Sequence, residues 1–351
     1  MRLSDYDYEL PPDLIAQYPA EERDLSRMIL LDKRSGEVRE TRFRNFPRYL
    51  REGDILVVND SRVVPARLIG RKETGGEVEV FLARRVGRGR WRALCRPSRR
   101  LSPKDRVLIG DSGRAVTLVE DHGGGEWTVE LPGDVEEAGF IARYGHMPLP
   151  PYIRREDEEL DRHRYQTVFA RTEGSVAAPT AGLHFTEKTL LDVRRRGVSV
   201  MPVTLHVGPG TFRPLEKEPV EENVLSSEYM MMRKDHLEEV RSAAAAGRRV
   251  IAVGTTVTRA LESTVPGRVE GLSVKEVQGE KYLAGWTDLF IYPGFEFEVV
   301  DSLLTNMHLP RSSLLVLVSA FAGREKVMSA YRWAVTRRFR FYSYGDVMFI
   351  R

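Results

Sequence analysis

Three histidines lie in glycine-, proline- and threonine-rich segments, and histidine is the side chain best suited to proton transfer near neutral pH. They are His184 in APTAGLHFT, His206 in HVGPGTF and His308 in NMHLP. A single histidine in a turn is more often a structural group than a catalyst, so the coincidence of three supports the catalytic hypothesis. Three histidines without spaced carboxylates make a poor metal site, although the sequence leaves a three-histidine zinc site open.

Other polar segments directly follow apolar runs that predict strands. They are Asn59–Arg62 (NDSR), Gly254–Arg259 (GTTVTR) and Thr287–Gly294 (TDLFIYPG). Ligands of α/β sheets bind at the carboxyl ends of strands, so these segments are candidates for binding. Each also has a structural interpretation, as a helix cap, a surface ion pair or the start of a helix.

The segments that must position these loops alternate between strands and helices. Apolar runs rich in β-branched residues predict buried strands at Asp54–Val58, Val198–Thr204, Arg249–Val253 and Leu314–Ser319. Helices are predicted at Glu187–Arg196 (after the N-cap Thr186), Lys234–Ala246 and Arg324–Arg338. This alternation predicts an α/β domain.

Between about Val63 and Tyr152 the pattern changes to short β-like runs separated by turn residues. The runs are Val64–Ile69, Glu77–Ala83, Trp91–Arg96, Arg106–Ile109, Ala115–Glu120 and Trp127–Leu131, with no predicted helix among them. The pattern indicates a small β-barrel or sandwich. We therefore expect an α/β domain formed by residues 1–62 and 152–351, with a β domain of residues 63–151 inserted into it.

Composition excludes several classes of protein. The 351 residues are 42% hydrophobic and 30% charged, as in globular chains, and the longest apolar run, around Leu314–Ala322, is too short to span a membrane. The chain begins without an apolar signal segment, and its single cysteine, Cys95, excludes an intramolecular disulfide and Cys-cluster metal sites. We therefore expect a cytoplasmic protein in which Cys95 is a small apolar filler. Gly-Lys, HExxH and Gly-x-Ser-x-Gly are absent, which removes support for P-loop, zinc-protease and esterase functions.

Nine ordered segments resemble the motifs of the S-adenosylmethionine:tRNA ribosyltransferase-isomerases, an enzyme family of queuosine biosynthesis. Besides the three histidine segments they are LPPDLIAQYPA (10–20), NDSRVVP (59–65), VGTTVTR (253–259), TDLFIYPG (287–294), SAFAG (319–323) and YSYGD (342–346). The resemblance extends from about Tyr6 to Ile350. It implies an α/β/α sandwich domain carrying an inserted small β-barrel domain, with no metal and no permanently bound cofactor.

The resemblance also implies a reaction. The ribosyl part of S-adenosylmethionine, the co-substrate, is transferred to 7-aminomethyl-7-deazaguanine at the wobble position of tRNA and is isomerised. The products are epoxyqueuosine-tRNA, adenine and methionine. The implied partners are S-adenosylmethionine and the tRNA anticodon loop, without a membrane, and we expect a monomer.

This chemistry suggests roles, which are hypotheses. The sulfonium acidifies the adjacent ribose carbon, so a base can remove a proton there, and an acid would ease the departure of adenine. His184 and His206 are the candidates for base and acid, in either order, and Asp288 could orient a histidine or the sugar hydroxyls. The candidate substrate-binding residues are Asp60, Arg62, Thr180, Gly182, Gly208, Gly210, Thr211, Thr255, Thr256, Arg259, Asn306 and His308. Of these, Thr255, Thr256 and Arg259 are expected to hold the methionine carboxylate or a tRNA phosphate.

A basic stretch of the predicted barrel is the candidate tRNA-binding surface. Residues 84–106 contain ten basic residues and one acid, with Trp91 among them. Arg88, Arg90 and Arg92 would share one strand face and grip phosphates, and Trp91 would stack a base of the single-stranded anticodon loop. A solvated strand face is an equally good interpretation, because the chain has 45 arginines in all.

Two other functions are weighed against the transferase. A non-catalytic RNA-binding protein would bind the anticodon stem-loop without releasing adenine, but it would not need three loop histidines. An ordinary S-adenosylmethionine methyltransferase would form S-adenosylhomocysteine, and the sequence lacks the glycine-rich loop after the first strand that this class uses.

Overall fold

The computed structural model describes residues 1–212 and 214–351, and only the backbone of Thr211 and Phe212. Its strands are β1 (Arg27–Leu31), β2 (Val38–Arg42), β3 (Ile55–Asn59), β4 (Ser61–Val63), β5 (Arg67–Lys72), β6 (Glu77–Gly87), β7 (Arg90–Arg96), β8 (Arg106–Ile109), β9 (Ala115–Gly123), β10 (Glu126–Glu130), β11 (Gly145–His146), β12 (Thr172–Ser175), β13 (Ser199–Leu205), β14 (Glu228–Arg233), β15 (Val250–Val253), β16 (Ser273–Val277), β17 (Glu280–Thr287), β18 (Ser302–Asn306) and β19 (Val347–Ile350). Its α-helices are α1 (Glu137–Tyr144), α2 (Glu159–Arg164), α3 (Glu187–Arg195), α4 (Lys234–Ala245), α5 (Thr255–Ser263), α6 (Ser313–Ala322) and α7 (Arg324–Thr336).

A ten-stranded sheet forms the larger part of the molecule, in the order β16-β17-β14-β13-β3-β15-β18-β19-β1-β2. The four neighbours β13, β3, β15 and β18 are all parallel. β19 lies between β18, to which it is antiparallel, and β1, to which it is parallel. Every residue of β3, β15, β18 and β19 is buried, which explains their continuous apolar or small-residue sequences.

Alternate residues of this sheet face two separate cores. Ile55 and Val57 of β3 pack with α4, α5, α6 and α7 on one side, whereas Leu56 and Val58 pack with α3 and a 3-10 helix over Phe43–Tyr49 on the other. Helices on both faces make this part an α/β/α sandwich. The helix prediction near α3 is confirmed, including its N-cap, since the Thr186 hydroxyl accepts a hydrogen bond from the backbone N–H of Thr189 (3.0 Å).

The second large sheet is a closed barrel. β5, β6, β7, β10, β9 and β8 are antiparallel neighbours, and pairing of β5 with β8 closes the cylinder. Its interior is filled by apolar side chains that include Trp127, Trp91 and Cys95. Burial raises the pKa of the Cys95 thiol to about 12, as expected for a cysteine that packs rather than reacts. The predicted class, an α/β/α sandwich with an inserted barrel, is confirmed.

Two local predictions are wrong. Leu314–Ser319 is not a strand but part of α6, whose N-cap Ser312 accepts a hydrogen bond from the backbone N–H of Leu315 (3.3 Å). This helix is buried almost all round, and a short run that is apolar on every side does not reveal its period. The second is the absence of a helix from the inserted segment, which contains α1. The sequence patterns also missed seven strands of the large sheet, namely β1, β2, β14, β16, β17, β18 and β19.

The barrel strands and α1 all lie between residues 67 and 146, and within the described residues none of them pairs with the ten-stranded sheet. Where the polypeptide passes between the two bodies, β4 and β12 form a separate parallel pair. The exact domain limits stay a prediction. None of the described helices is both long and apolar enough to cross a bilayer.

Candidate active site

The carboxyl ends of four adjacent parallel strands meet at one edge of the large sheet. His206 directly follows β13, Asn59 ends β3, Thr255 follows β15 after one glycine, and Asn306 ends β18. Because these strands are neighbours and point the same way, the loops that the sequence singled out lie side by side.

Asn59 ties the ends of β3 and β13 together. Its amide nitrogen donates to the Leu205 carbonyl (2.9 Å), and its amide oxygen accepts from the backbone N–H groups of Ser61 (3.0 Å) and Leu205 (3.1 Å). The neighbouring carboxylate of Asp60 accepts a hydrogen bond from the Thr204 hydroxyl (2.6 Å), and burial raises its pKa above the ordinary value. These bonds fix the rim of the site.

His184 lies in a 3-10 helix over Thr180–His184 and is only 3% exposed. Its Nε2 is 3.2 Å from the amide nitrogen of Asn306 and its Nδ1 is 3.0 Å from the Ser26 hydroxyl. The amide nitrogen can only donate, so Nε2 accepts and the proton resides on Nδ1. Burial, assisted by the charges of Arg340 and Arg23, lowers the pKa of His184 to about 3, so the imidazole is neutral at physiological pH.

Asn306 presents an unused acceptor beside this histidine. Its amide nitrogen also donates to the Tyr342 carbonyl (2.9 Å), whereas its amide oxygen is buried and has no hydrogen-bond partner among the described residues. A buried oxygen without a donor is costly, so a ligand that donates a hydrogen bond to it would be bound favourably here.

The first turn of α5 points at the same edge. Gly254 caps it with a φ of +97°, and the buried Thr255 and Thr256 form its first turn. The 3-10 helix of His184 packs on this end, since a Cβ at Gly254 would lie 3.6 Å from the Cβ of Ala181. The free N–H groups and positive end of a helix dipole favour an anion at this position.

His206 lies at the wall of a cavity and is half-buried. Its ring is 6.2 Å from that of Tyr229 and nearly parallel to it (16°), and it covers Gly174, where a Cβ would lie 3.0 Å from its Cε1 atom. Its buried Nδ1 has no hydrogen-bond partner within the described part of the chain. Burial lowers the pKa of His206 below the usual 6.5, which leaves a neutral imidazole with an available nitrogen.

Glu228, which the sequence did not single out, joins two predicted segments. Its carboxylate lies 2.5 Å from Nη1 of Arg259 and accepts the backbone N–H of Gly208 (2.9 Å). Arg259 also donates to the Leu289 carbonyl (3.1 Å), and its Nη2 has no hydrogen-bond partner among the described residues although the residue is buried. The only sequence signal for Glu228 is an acid at the head of an apolar strand, which names no partner.

A cavity of about 1100 Å³ separates the barrel from this edge of the sheet. One wall carries His206, Gly208, Gly210, Glu228 and Tyr229. The opposite wall consists of β6, β7 and α1 of the barrel, so the cavity lies between the two bodies, as ligand sites often do.

The remaining candidates differ in position. Asp288 is exposed and forms no hydrogen bond or ion pair with the described residues, so it orients neither histidine here. Arg62 is exposed, with Nε 3.8 Å from the Glu173 carboxylate at the cavity wall.

His308 is buried, with Nε2 2.7 Å from the Thr305 hydroxyl, and burial lowers its pKa to about 3. Thr180 is half-buried and Gly182 is buried against Thr167. The side chain of Thr211 lies outside the described residues.

The three histidines do not converge on a metal site. Within residues 1–212 and 214–351, no group of three His, Cys, Asp or Glu side chains could hold a metal ion. His184 uses both ring nitrogens in hydrogen bonds to other residues, and His308 uses its Nε2. Of the three histidines, His206 lines the cavity.

The basic stretch of the barrel is less exposed to a partner than the sequence suggested. Arg88 is exposed in the turn before β7, which begins at Arg90, so the three arginines do not lie on one strand. Arg90 and Arg92 lie 3.2 Å and 3.6 Å from Glu130 and Glu126 of the neighbouring strand. Trp91 points into the barrel and donates to Glu137 (2.8 Å). Successive strand residues face opposite sides, so Trp91 faces the barrel interior while Arg90 and Arg92 face outward. A base of RNA therefore cannot stack on the Trp91 ring.

Comparison with known proteins agrees with this arrangement over the whole chain. The model of the queuosine biosynthesis protein family matches residues 3–350. The chain is 48% identical over 354 residues to the S-adenosylmethionine:tRNA ribosyltransferase-isomerase of Halothermothrix orenii, and 46% identical over 350 residues to that of Aquifex aeolicus, with full coverage of both chains in each case. The crystal structure of S-adenosylmethionine tRNA ribosyltransferase from Thermotoga maritima is 34% identical, with a TM-score of 0.54 over 99% of this chain and 100% of that one. The chain therefore belongs to the S-adenosylmethionine:tRNA ribosyltransferase-isomerase family of queuosine biosynthesis proteins.

Proposed function

We propose that this enzyme transfers the ribosyl moiety of S-adenosylmethionine to 7-aminomethyl-7-deazaguanine at the wobble position of tRNA and isomerises it. The products are epoxyqueuosine-tRNA, adenine and methionine. The enzyme acts as a cytoplasmic monomer, with S-adenosylmethionine as co-substrate and no permanently bound cofactor.

The observation that carries the proposal is the meeting of four polar loops at one sheet edge beside a large cavity. A binding protein needs a surface, whereas this edge combines a neutral histidine, an unpartnered amide oxygen and a helix N-terminus. These are a proton acceptor, a hydrogen-bond acceptor and an anion site, the groups that a reaction of a charged sulfonium substrate requires.

His206 is the proposed proton acceptor. It faces the cavity, its lowered pKa keeps it neutral, and its Nδ1 is not engaged by the protein. In the proposed first step it removes a proton from the ribose carbon next to the sulfonium, which the positive sulfur acidifies. The same imidazolium can later return the proton.

His184 is the second proposed catalytic residue, and Asn306 binds the substrate beside it. Both nitrogens of His184 are engaged and its pKa is about 3, so a neutral imidazole fits better than an imidazolium acid. The free amide oxygen of Asn306 would accept a hydrogen bond from a sugar hydroxyl or an adenine amino group. His184 then orients this amide as well as any group that it contacts directly.

Thr255, Thr256 and Arg259 form the proposed site for the methionine carboxylate. The first two lie at the positive end of α5, and Arg259 has an unpaired Nη2. Asp60, Arg62, Thr180, Gly182, Gly208, Gly210, Thr211 and His308 belong to the same proposed loops, and Asp288 stays a candidate for orienting the sugar. Arg88, Arg90 and Arg92 stay candidates for contact with tRNA, whereas Trp91, which points into the barrel, is not proposed to stack a base.

Product analysis tests the function. Purified enzyme is incubated with S-adenosylmethionine and tRNA that carries the aminomethyl precursor, with a strong chelator present because no metal step is proposed. We expect adenine, methionine and the modified nucleoside in equal amounts by liquid chromatography and mass spectrometry. S-adenosylhomocysteine would instead identify a methyltransferase, and tRNA binding without adenine release would identify a binding protein.

A further inference from the structure

The cavity has an aromatic wall that none of the proposed roles uses. Tyr229 of β14 and Trp286 of β17 are directly opposed residues of adjacent strands, with ring centroids 5.5 Å apart. Both face away from the sheet core, on whose side their chain neighbours Met230 and Thr287 are fully buried. Trp286 is 40% exposed, although a large aromatic ring normally lies buried.

Two cations flank these rings. The guanidinium of Arg84, from the barrel, lies over the Trp286 ring at 5.1 Å, and the Lys275 ammonium lies over the Tyr229 ring at 5.5 Å. Neither cation has an ion-pair partner among the described residues, in contrast to Arg90 and Arg92 on the barrel. A planar ring next to an unneutralised cation is the arrangement that holds an unpaired base and its phosphate in single-stranded RNA.

The aromatic rings form a row on the cavity wall that ends at the proposed proton acceptor, His206. His206 is stacked on Tyr229, and Tyr229 contacts Trp286. All three line the same cavity together with Arg84. A base stacked on Trp286 would therefore lie on the same wall as the proton acceptor and would displace the Arg84 guanidinium, which could then contact the adjoining phosphate.

We infer that Trp286 and Tyr229 form a stacking platform for an unpaired base of the tRNA anticodon loop, with Arg84 and Lys275 binding its phosphates. This inference rests on the proposed function and assigns the base-stacking role that the sequence had given to Trp91. The occupant is an RNA base rather than the adenine of S-adenosylmethionine, because the platform is open and cationic. The proposed site for S-adenosylmethionine, by contrast, comprises the buried groups around Asn306 and Thr255.

The test measures binding of a fluorescent synthetic anticodon stem-loop RNA to the Trp286→Ala and Tyr229→Ala variants. Loss of one stacked base should weaken RNA affinity by about 5- to 100-fold in each, with S-adenosylmethionine affinity by calorimetry unchanged. Trp286→Phe should retain most of the affinity, because stacking needs only a ring. Arg84→Gln should flatten the dependence of log affinity on log salt by about 0.7, whereas Trp286→Ala should leave that slope unchanged.

The matched control is Trp333→Ala. The guanidinium of Arg337 lies over the Trp333 ring, 5.2 Å from its centroid, as that of Arg84 lies over Trp286. Trp333 belongs to α7, however, and does not line the cavity. The platform is overturned if Trp286→Ala binds RNA as Trp333→Ala does, or if Trp286→Ala loses affinity for S-adenosylmethionine instead. Failure of the proposed function is distinguishable, because it appears as absent adenine release by the unmodified enzyme, whereas the platform is judged on RNA affinity.

Discussion

The side-chain amide of Asn306 lies 3.2 Å from Nε2 of His184 and fixes that imidazole in one tautomer, with its proton directed at Ser26. The three residues come from distant parts of the sequence, and all are buried. The pair therefore behaves as one polar unit at the edge of the sheet.

His184→Ala and Asn306→Ala should each lower kcat by about 10²-fold or more. The double variant should cost little more than either single one, because each change already breaks the unit. Steady-state kinetics of the three variants measure the coupling between the two losses of kcat. Circular dichroism verifies that each variant is folded. Fully additive losses would mean that the two side chains act separately.

The pH profile should identify His206. Its neutral form is the proposed base and burial lowers its pKa, so kcat/KM should fall on acidification with a midpoint below 6.5. His206→Gln should reduce the rate by about 10²–10⁴-fold and abolish that acid limb. His163→Gln, at an exposed surface histidine, should keep both rate and limb. An acid limb that survives in His206→Gln would assign the titration to another group.

Buried His308 should make the fold sensitive to acid. Its pKa is about 3 in the folded state and about 6.5 in an unfolded chain, so between these values the unfolded state binds more protons. Its contribution to stability is therefore complete above about pH 6.5 and is lost as the pH falls, by up to about 1.4 kcal/mol per pH unit.

Urea unfolding of wild type and His308→Gln between pH 6.5 and 4.5 measures this contribution. Asp60 and Asp346, whose pKa values burial raises, act in the opposite direction, so only the difference between the two proteins is informative. Parallel pH dependences in the two proteins would contradict a neutral, buried His308.

The ion pair of Arg259 and Glu228 should show strong coupling. Arg259→Met leaves a buried carboxylate without this cation and should cost about 3–5 kcal/mol in the free energy of unfolding. Adding Glu228→Gln should recover part of the loss. The exposed pair Arg195–Asp192, whose charged atoms are 3.5 Å apart, is the control and should couple by less than about 1 kcal/mol. Equal coupling in the two pairs would refute the special position of Glu228.

The basic stretch of the barrel remains a prediction for tRNA binding. Neutralising Arg88, Arg90 and Arg92 together should flatten the salt dependence of log affinity by about two units if each contacts a phosphate. Glu126→Gln with Glu130→Gln should strengthen binding, because it frees two of these arginines. Neutralising the exposed Arg194, Arg195 and Arg196 near the end of α3 is the matched control. An unchanged slope in the barrel variant would make this a solvated face.

Sequence patterns predicted elements whose period is visible. The barrel strands alternate buried and exposed residues, and α3 has a capping threonine and a following glycine. The predicted limits of these elements are therefore close to the observed ones. The run in α6 is apolar on all sides, and its length fitted a strand equally well.

The site was predictable as a set of loops but not as a set of contacts. Strand order brought the loops of His206, Asn59 and Asn306 together, and that order depends on long-range pairing. Glu228 and Trp286 lie inside strands rather than loops, so only the fold could place them at the cavity. Trp91 faces inward together with Ala93 and Cys95, because alternate residues of β7 point into the barrel.

The position of β19 has a consequence for synthesis on the ribosome. β1 and β2 are translated first, yet they join the other strands of the large sheet only through β19, which is made more than 300 residues later. The hairpin of β1 and β2 must therefore wait, with one edge unpaired, until residues 347–350 have left the exit tunnel. Ser26, whose hydroxyl accepts the hydrogen bond from Nδ1 of His184, is adjacent to β1, so the proposed catalytic unit is also among the last features to assemble during translation.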